Sequence, residues 1–383
     1  MNNAINNENK KLNVPNLRFK EFQGEWEEHY LSDYLDFKNG LNPKPDKFGK
    51  GIKFISVMDI LNNAIITNDC IRASVDVSEE ELQNFCVENG DMLFQRSSET
   101  LEDVGRANVY MDDKPAVFGG FVIRGKKKAE YNPLFFRYLL ASPFARKKII
   151  PMGAGAQHFN IGQEGLNRVK LHFASLDEQK KIAKILSLLD ERIATQSKII
   201  EKMQTLIKGI AHKVSKQGKP NIRLSECLLC TSSTLQESDV AEVGAYPVYG
   251  ANGIVGFLDT YNTTSEAIYI IKDGSGVGAV SCVKGKCSAT GTLNILQTKE
   301  GFSLRYLYFI LKVFSFEPYK TGMAIPHIYF KDYGKAKIYC PSNQLQCKYA
   351  DLLSKIEQKA TAEQKILDNL CSQKQYLLCQ MFI

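Results

Sequence analysis

The sequence predicts an α+β fold: two globular domains separated by a long antiparallel two-helix coiled coil, with an internal pseudo-two-fold repeat. The first observation is an unbroken 3-4 alternation between Ser175 and Gln217 whose positions are apolar except for Gln196, which is the seam of a coiled coil. The second is that the same pattern occurs again 167 residues further on, where the polar seam position Gln196 corresponds to Glu363. A pattern that returns in phase over a whole helix predicts a tandem repeat.

The first long helix is predicted over residues 173–217. Ser175 and Glu178 have the spacing of a capping box, and Gly218 followed by Pro220 marks its end. The second is predicted over residues 341–383. The predicted seam positions are Ile182, Leu186, Leu189, Ile193, Gln196, Ile200, Met203, Ile207 and Ile210, then Tyr349, Leu353, Ile356, Ala360, Glu363, Leu367, Leu370 and Leu377.

The second helix must run antiparallel to the first to bury its stripe. Each helix is about 60 Å long at 1.5 Å per residue. Gln196 and Glu363 fall near the midpoints of their helices, so they are predicted to face each other and to set the register. The alternative, in which each is merely solvated at a loose seam, stays open.

The remaining chain divides into a predicted disordered arm (1–14) and two globular domains (15–172 and 218–340). Three predicted strands and a helix capped by Asn132 lie in the first domain, at Ile52–Val57, Asp91–Gln95, Ala116–Ile123 and Asn132–Ala141. In the second domain, helix Ser303–Val313 matches the capped helix, and loop Gly322–His327 matches Gly153–His158.

Composition bounds the class of protein. The chain has 383 residues and a formal net charge of +7, which is compatible with nucleic-acid binding without proving it. The first residues contain no apolar stretch like that of a signal peptide. The longest apolar run, Tyr306–Phe316, is too short for a membrane span. Ten cysteines are then most simply reduced thiols, so a cytoplasmic protein without membrane contact is expected.

No motif for catalysis or metal binding is convincing. Asn132-Pro-Leu-Phe135 lacks the second proline of an adenine-methyltransferase motif, and Gly274–Gly278 lacks the residues of a phosphate-binding loop. Cys227, Cys230, Cys282 and Cys287 have a loose spacing for zinc, and Leu228 and Leu229 indicate a buried element instead. The prediction is no catalytic residue and no metal.

Candidate DNA-binding residues are polar or basic side chains in turns and at strand ends, because phosphates attract cations and base edges are read by Arg, Lys, Asn, Gln and Ser. The alternative for each is a solvated or packed side chain. The candidates are Lys44, Lys47, Lys50, Gln95, Arg96, Ser97, Ser98, Arg106, Gln157 and His158, then Tyr249, Asn252, Lys272, Ser275, Lys284, Lys286 and His327.

Three segments, Pro15–Trp26, Leu176–Ala183 and Tyr246–Gly256, make the chain resemble the specificity (S) subunit of type I restriction-modification systems. The resemblance implies two target-recognition domains, 15–172 and 218–340, each reading one half of a split, asymmetric target in double-stranded DNA. The helices would set the spacer and dock two modification (methyltransferase) subunits, which restriction (translocase/nuclease) subunits join. The chain departs from the family pattern at Ala174, Leu345 and Lys374.

The resemblance also implies that this chain is not an enzyme and binds no cofactor. S-adenosylmethionine, ATP and Mg²⁺ would be used by the partner subunits, and the assembled complex would be an adenine-specific DNA methyltransferase and ATP-dependent endonuclease. The alternative functions are a coiled-coil scaffold that reads no DNA, and a silent or orphan specificity subunit.

Overall fold

The computed structural model describes residues 13–383, which form two compact units. Unit 1 contains the chain up to Thr195 together with Leu367–Ile383, and unit 2 contains Gln196–Ile366. Up to residue 12, the predicted arm 1–14 lies outside the described residues. Asn13 is described, and its carbonyl accepts a hydrogen bond from Trp26 N at 2.8 Å. Both long helices cross the boundary between the units, so the domain limits 15–172 and 218–340 stay a prediction.

Unit 1 contains two main sheets, ordered β2-β9-β5-β7 and β4-β3-β8, in which only the β3/β8 pair is parallel. Its strands are β1 Glu27–Tyr30, β2 Leu35–Asn39, β3 Phe48–Ile55, β4 Ser74–Val75, β5 Met92–Gln95, β6 Ser97–Ser98, β7 Ala107–Val109, β8 Ala116–Phe118, β9 Val122–Lys127, β10 Phe159–Asn160 and β11 Lys170–Phe173. Its helices are α1 Leu31–Tyr34, α2 Val57–Asn62, α3 Glu79–Phe85, α4 Pro133–Ala141, α5 Pro143–Ile149, α6 Gln163–Asn167 and the start of α7 Leu176–Ser215. The predicted strand Ala116–Ile123 is wrong, because a turn at Gly119 and Gly120 divides it into β8 and β9.

Unit 2 has the same strand order, β13-β19-β16-β17 and β15-β14-β18, again with one parallel pair, β14/β18. Its strands are β12 Ile222–Arg223, β13 Leu228–Ser232, β14 Tyr246–Gly250, β15 Gly253–Leu258, β16 Ala267–Ile271, β17 Val280–Val283, β18 Ser288–Ala289, β19 Leu293–Thr298 and β20 Lys337–Ile338. Its helices are α8 Leu224–Cys227, α9 Leu304–Lys312, α10 Phe330–Tyr333 and most of α11 Asn343–Gln380. In the described part of the chain, no helix is long and apolar enough to cross a membrane.

A buried glutamine joins each long helix to a globular helix of its unit. Gln179 Oε1 accepts from Asn132 N at 2.9 Å, and its Nε2 donates to Ala174 O at 2.9 Å. Asn132 is also the N-cap of α4, as the sequence predicts, because its side chain accepts from Phe135 N. The start of α4 and the start of α7 therefore share one amide.

The same arrangement occurs in unit 2. Gln346 Oε1 accepts from Ser303 N at 3.0 Å, and its Nε2 donates to Pro341 O at 2.9 Å. Ser303 is the N-cap of α9. Gln346 follows Gln179 at the repeat distance, and both are 2% exposed.

Residues from the end of α11 complete the core of unit 1. The ring of Trp26 packs edge-on against Phe135 and Phe382, with centroids 5.9 and 6.2 Å apart. Leu378 and Met381 lie in the same buried cluster. Leu17 N also donates to Gln380 O at 2.8 Å. The segments before β1 and after residue 376 thus belong to one core.

Glu178 is a buried ion-pair partner. Its carboxylate, which is fully buried, accepts two hydrogen bonds from Arg18 at 2.8 Å and one from Trp26 Nε1 at 3.3 Å. The predicted role as a capping acid is therefore wrong for this side chain, which binds residues some 160 positions away in sequence.

The unusual Lys374 in the seam also has a partner in unit 1. Its Nζ lies 2.5 Å from Asp190 Oδ1, and Asp190 Oδ2 accepts from Tyr138 OH at 2.8 Å. In unit 2 the carboxylate at the matching position, Glu357, accepts from Tyr308 OH at 2.7 Å. A charged seam residue is compatible with the packing because its charge is paired.

The long helices run antiparallel within unit 2. Gln196 Nε2 donates to Glu363 Oε2 at 2.6 Å and to Glu363 O at 3.0 Å, and Tyr349 OH donates to Gln217 Oε1 at 2.8 Å. The predicted contact between Gln196 and Glu363 is confirmed. Both side chains are half-buried, whereas their sequence neighbours, such as Thr195, are exposed.

Removing one member of this polar pair should cost more than removing both. In Gln196→Leu, the Glu363 carboxylate loses its donor in a half-buried seam, so the free energy of unfolding should fall by about 1–3 kcal/mol. The double change Gln196→Leu with Glu363→Leu should recover most of that loss. Urea unfolding measures both, with Gln204→Leu on the exposed face of α7 as the control. Additive effects would favour the alternative of two independently solvated side chains.

Candidate nucleic-acid interface

In unit 1, the residue that follows strand β5, Arg96, is hydrogen-bonded through its backbone to a segment on either side. Arg96 N donates to Phe121 O at 2.9 Å, and Arg96 O accepts from Ile161 N at 2.9 Å. The guanidinium Nη1 also donates to Gly120 O at 3.2 Å. Arg96 therefore sits in a clasp between the β8–β9 turn and the segment that follows β10.

The loop predicted at Gly153–His158 lies near Arg96, because the strand that follows it pairs with β6. It leads into β10, whose Asn160 pairs with Ser97 in β6, and the two side chains are hydrogen-bonded through Ser97 Oγ and Asn160 Oδ1. Gln157 and His158 are exposed in this loop. The structure thus brings together four of the predicted residues of the first domain: Arg96, Ser97, Gln157 and His158.

Unit 2 has the same clasp around Lys272. Lys272 N donates to Thr292 O at 2.9 Å, and Lys272 O accepts from Ile328 N at 2.9 Å. Beside it, Asp273 Oδ1 lies 2.7 Å from His327 Nδ1. Ser275 is exposed in the turn that follows Asp273. Lys272, Ser275 and His327 are therefore neighbours.

The predicted match between the two loops is wrong by two residues. His327 pairs with Asp273 as Asn160 pairs with Ser97, so the counterpart of His327 is Asn160 rather than His158. Within these two loops, the glycines with positive φ are Gly155 and Gly322, at +145° and +91°. These positions obey the 167-residue repeat, whereas Gly153 and His158 share only residue type with their supposed counterparts.

The basic segment near β3 is exposed. Lys50 stands in a bulge where the pairing of β3 with β4 shifts between Phe48 and Ile52. Lys47 and Lys50 lie 3.6 and 3.5 Å from one carboxylate, that of Asp76, so the three groups keep a net positive charge. Lys44 is also exposed.

Several predicted residues are less suited to direct contact with DNA. Gln95 and Ser98 are only 5% and 9% exposed, because they belong to the buried strand end. Arg106 is paired with Asp103 at 2.6 Å. Tyr249 is half-buried, and burial raises the pKa of its hydroxyl above the ordinary value. Its carbonyl accepts from Thr290 N at 2.9 Å and so supports the turn beside Lys272.

The other candidates of the second domain have different surroundings. Lys284 pairs with Glu266 at 3.8 Å, beside the start of β16, whereas Lys272 follows its end. Lys286 lies over the ring of Tyr261, 4.8 Å from the centroid. Asn252 is exposed in the β14–β15 hairpin. The hairpin that carries Asn252 lines a cleft with Ile271, the residue before Lys272.

A family model for the type I restriction modification DNA specificity domain matches residues 23–205 and 227–371. The chain belongs to this family. The two matched stretches begin before β1 and within α8, and each reaches into a long helix.

Relatives and solved structures of the specificity family agree with this. The chain is 28% identical over 214 residues to the putative type I restriction enzyme MjaX specificity subunit of Methanocaldococcus jannaschii, covering 55% of this chain and 50% of that protein. The chain thus spans about half the length of this relative. A putative type I specificity subunit of Mycoplasma genitalium is 27% identical over 277 residues, covering 66% of this chain and 71% of that one. The crystal structure of a type I S subunit from M. genitalium has the same fold, with a TM-score of 0.66 at 20% identity over 97% of this chain and 99% of that one.

Against this family background, the four cysteines considered for zinc do not meet. No group of three or more potential metal ligands occurs among the described residues. Burial raises the pKa of Cys227 to about 12 and that of Cys230 to about 11, as is expected of thiols packed in apolar surroundings.

The sequence reasoning missed Asn160, Asp273 and the turn residue Phe121. The 167-residue repeat, applied to His327, would have indicated Asn160. The Gly119–Gly120 pair was the available signal for a turn before Phe121.

Alanine at either loop glycine should disturb its loop without unfolding the specificity fold. An added Cβ would collide with His158 O at Gly155 and with Ile325 O at Gly322, and positive φ adds strain of about 1–3 kcal/mol. Hydrogen exchange should accelerate in the altered loop alone. Gly162→Ala is the control, since its Cβ would meet nothing within 4 Å. Equal exchange in Gly155→Ala and Gly162→Ala would show that the loop tolerates the side chain.

Proposed function

We propose that this chain is the sequence-specific DNA-binding subunit of a type I restriction-modification complex, in which each of two target-recognition domains reads one half of a split, asymmetric target. The carrying observation is the clasped cation at the same strand end of both units, Arg96 in one and Lys272 in the other. Backbone hydrogen bonds on both sides hold the main chain of each residue in place. Arg96 Nη1 donates to Gly120 O at 3.2 Å, and Lys272 Nζ lies 3.9 Å from Asp273 Oδ2. Cations positioned at a strand end suit both guanine edges and phosphates.

The groups beside the two cations differ. Ser97 and Asn160 flank Arg96 in unit 1, whereas Asp273 and His327 flank Lys272 in unit 2. Arginine forms a planar, two-pronged donor and lysine a point charge. Two similar frames with different side chains therefore support recognition of two different half-sites.

The long helices are proposed to form a coiled coil that sets the spacer between the half-sites. The spacing of half-buried seam residues and the antiparallel contacts within unit 2 support this geometry. The identical strand orders support a pseudo-two-fold repeat.

Exposed apolar residues on the helices are candidates for docking two copies of one modification subunit. Ile185 on α7 and Leu352 on α11 are 40% and 48% exposed and are separated by the repeat distance. Equivalent positions on a repeated helix suit two identical partners. In the proposed complex those partners use S-adenosylmethionine, and restriction subunits use ATP and Mg²⁺, while this chain supplies specificity in the cytoplasm.

The alternative of a scaffold that reads no DNA accounts for the helices alone. It leaves the repeated clasp around Arg96 and Lys272 without a purpose. A silent or orphan subunit would have the same structure and differs only in whether active partners are present.

Changing each cation should alter only one half of the target. The chain is co-expressed with modification subunits, and methylated adenines are mapped across the host genome. The wild type should mark one split motif. Arg96→Ala should weaken or relax one half, and Lys272→Ala the other, by a factor of ten or so per lost base contact, from about 1–3 kcal/mol.

The controls separate this from the other functions. Lys184→Ala on the exposed face of α7 should leave the motif unchanged, and the chain without modification subunits should transfer no methyl group. An unchanged methylome with all subunits present would favour a scaffold or silent copy. A loss spread evenly over both halves in either variant would contradict modular reading.

Charge placed on either apolar helix position should remove one partner. An aspartate at Ile185 or Leu352 puts a carboxylate into the proposed interface, where desolvation opposes binding. The mass of the purified complex should then correspond to one modification subunit instead of two. Thr195→Asp and Gln358→Asp, at exposed polar positions, should retain both. Full occupancy in Ile185→Asp and Leu352→Asp would place the docking surface elsewhere.

A further inference from the structure

A cleft lined by aromatic side chains opens beside Arg96 in unit 1. Its volume is about 560 Å³, and its walls include Phe48, Phe54, Met58 and Phe121. Asn42, Ser56 and Ser97 supply polar groups at its edge. We call this the aromatic cleft. A site of this size, mostly apolar with a few polar groups, has the character of a ligand site.

The walls of the aromatic cleft are held together. Leu41 N donates to Phe118 O at 2.9 Å, which ties the loop after β2 to the β8–β9 turn. A Cβ at Gly119 would lie 2.7 Å from the ring of Phe54, so the turn approaches that ring closely. The rings of Phe48 and Phe54 pack edge-on at 5.1 Å. The cleft is therefore preformed.

Phe121 stands at the mouth of the cleft with 67% of its surface exposed, and Met58 with 61%. Leaving such side chains in water forgoes the stabilisation that burial of their apolar surface would give. The backbone of Phe121 is nevertheless fixed by the hydrogen bond from Arg96 N. Two large apolar groups are thus presented to an occupant.

The charges around the aromatic cleft indicate what the occupant is attached to. Lys44, Lys47 and Lys50 lie on the segment that forms one wall, and Arg96 is fastened to the other. Asp46, Asp76 and Asp59, whose carboxylate accepts from Ser56 Oγ, offset part of the charge of these four cations and leave it positive. An occupant with flat apolar faces, polar edges and an attached polyanion matches a nucleobase of DNA.

We infer that the aromatic cleft receives one base turned out of the duplex in the half-site read by the unit 1 domain. This inference rests on the proposed function and adds a base-binding site to it. In unit 2 the equivalent turn is Thr290-Gly291-Thr292, with Thr292 holding Lys272 as Phe121 holds Arg96. The distortion belongs to one half-site only.

A fluorescent base tests the inference in the assembled complex with modification subunits. Duplexes of the recognised sequence carry 2-aminopurine at each position of the first half-site in turn. Fluorescence should rise several-fold at one position other than the methylated adenine. A mismatch there should tighten binding, because less pairing is lost when the base turns out.

Phe121→Ala should abolish the fluorescence rise and weaken DNA binding roughly tenfold, as expected for a lost base stack. Its melting temperature should match that of the wild type because Phe121 is exposed. Thr292→Ala, at the equivalent position of unit 2, should leave the fluorescence rise intact.

Three outcomes would overturn the inference. One is a complex that binds and methylates its split target while no further position brightens, which leaves the proposed function standing. Another is a rise that persists unchanged in Phe121→Ala. The third is a Phe121→Ala variant that fails to assemble with its protein subunits yet binds DNA normally, which would make the cleft a protein contact. Failure to recognise any split target would instead refute the proposed function itself.

Discussion

In each unit, one buried glutamine amide, that of Gln179 or Gln346, joins the globular part to a long helix. Each amide accepts a hydrogen bond from the N-cap residue of a globular helix and donates one to the carbonyl just before the long helix. A buried amide left without partners would cost about 1–3 kcal/mol. The two hydrogen bonds of each amide, one to the globular helix and one to the start of the long helix, are therefore made together or lost together. The orientation of each strand-end clasp relative to the nearby segment of long helix depends on them.

The helices and their pairing could be predicted because they arise from a periodic pattern. Residues 173–217 and 341–383 were predicted as helices, and α7 and α11 occupy Leu176–Ser215 and Asn343–Gln380. The contact between Gln196 and Glu363 followed from the same period. Repetition in phase contains information about partners far apart in sequence, which a single motif lacks.

Features that depend on non-periodic contacts were harder to predict. Glu178 has the spacing of a capping acid, but Arg18 lies 160 residues away and binds it instead. The loop alignment followed the identity of Gly153 and His158, whereas the pairing depends on Asn160 and on positive φ at Gly155. The strand ends were found as candidate sites, but burial of Gln95 and the cleft beside Phe121 require three segments that only folding brings together.

The position of Phe382 has a consequence for biosynthesis. Its ring contacts Trp26 and Phe135 in the core of unit 1, although the whole of unit 2, Gln196–Ile366, is translated after Phe135 and before Phe382. When a ribosome has completed residues 13–195, the core of unit 1 therefore still lacks Leu378, Met381 and Phe382. Unit 2 can bury its own cluster first, and the domain translated first is completed last. Premature termination shortly before residue 377 would thus destabilise the core of unit 1, most of which is translated first.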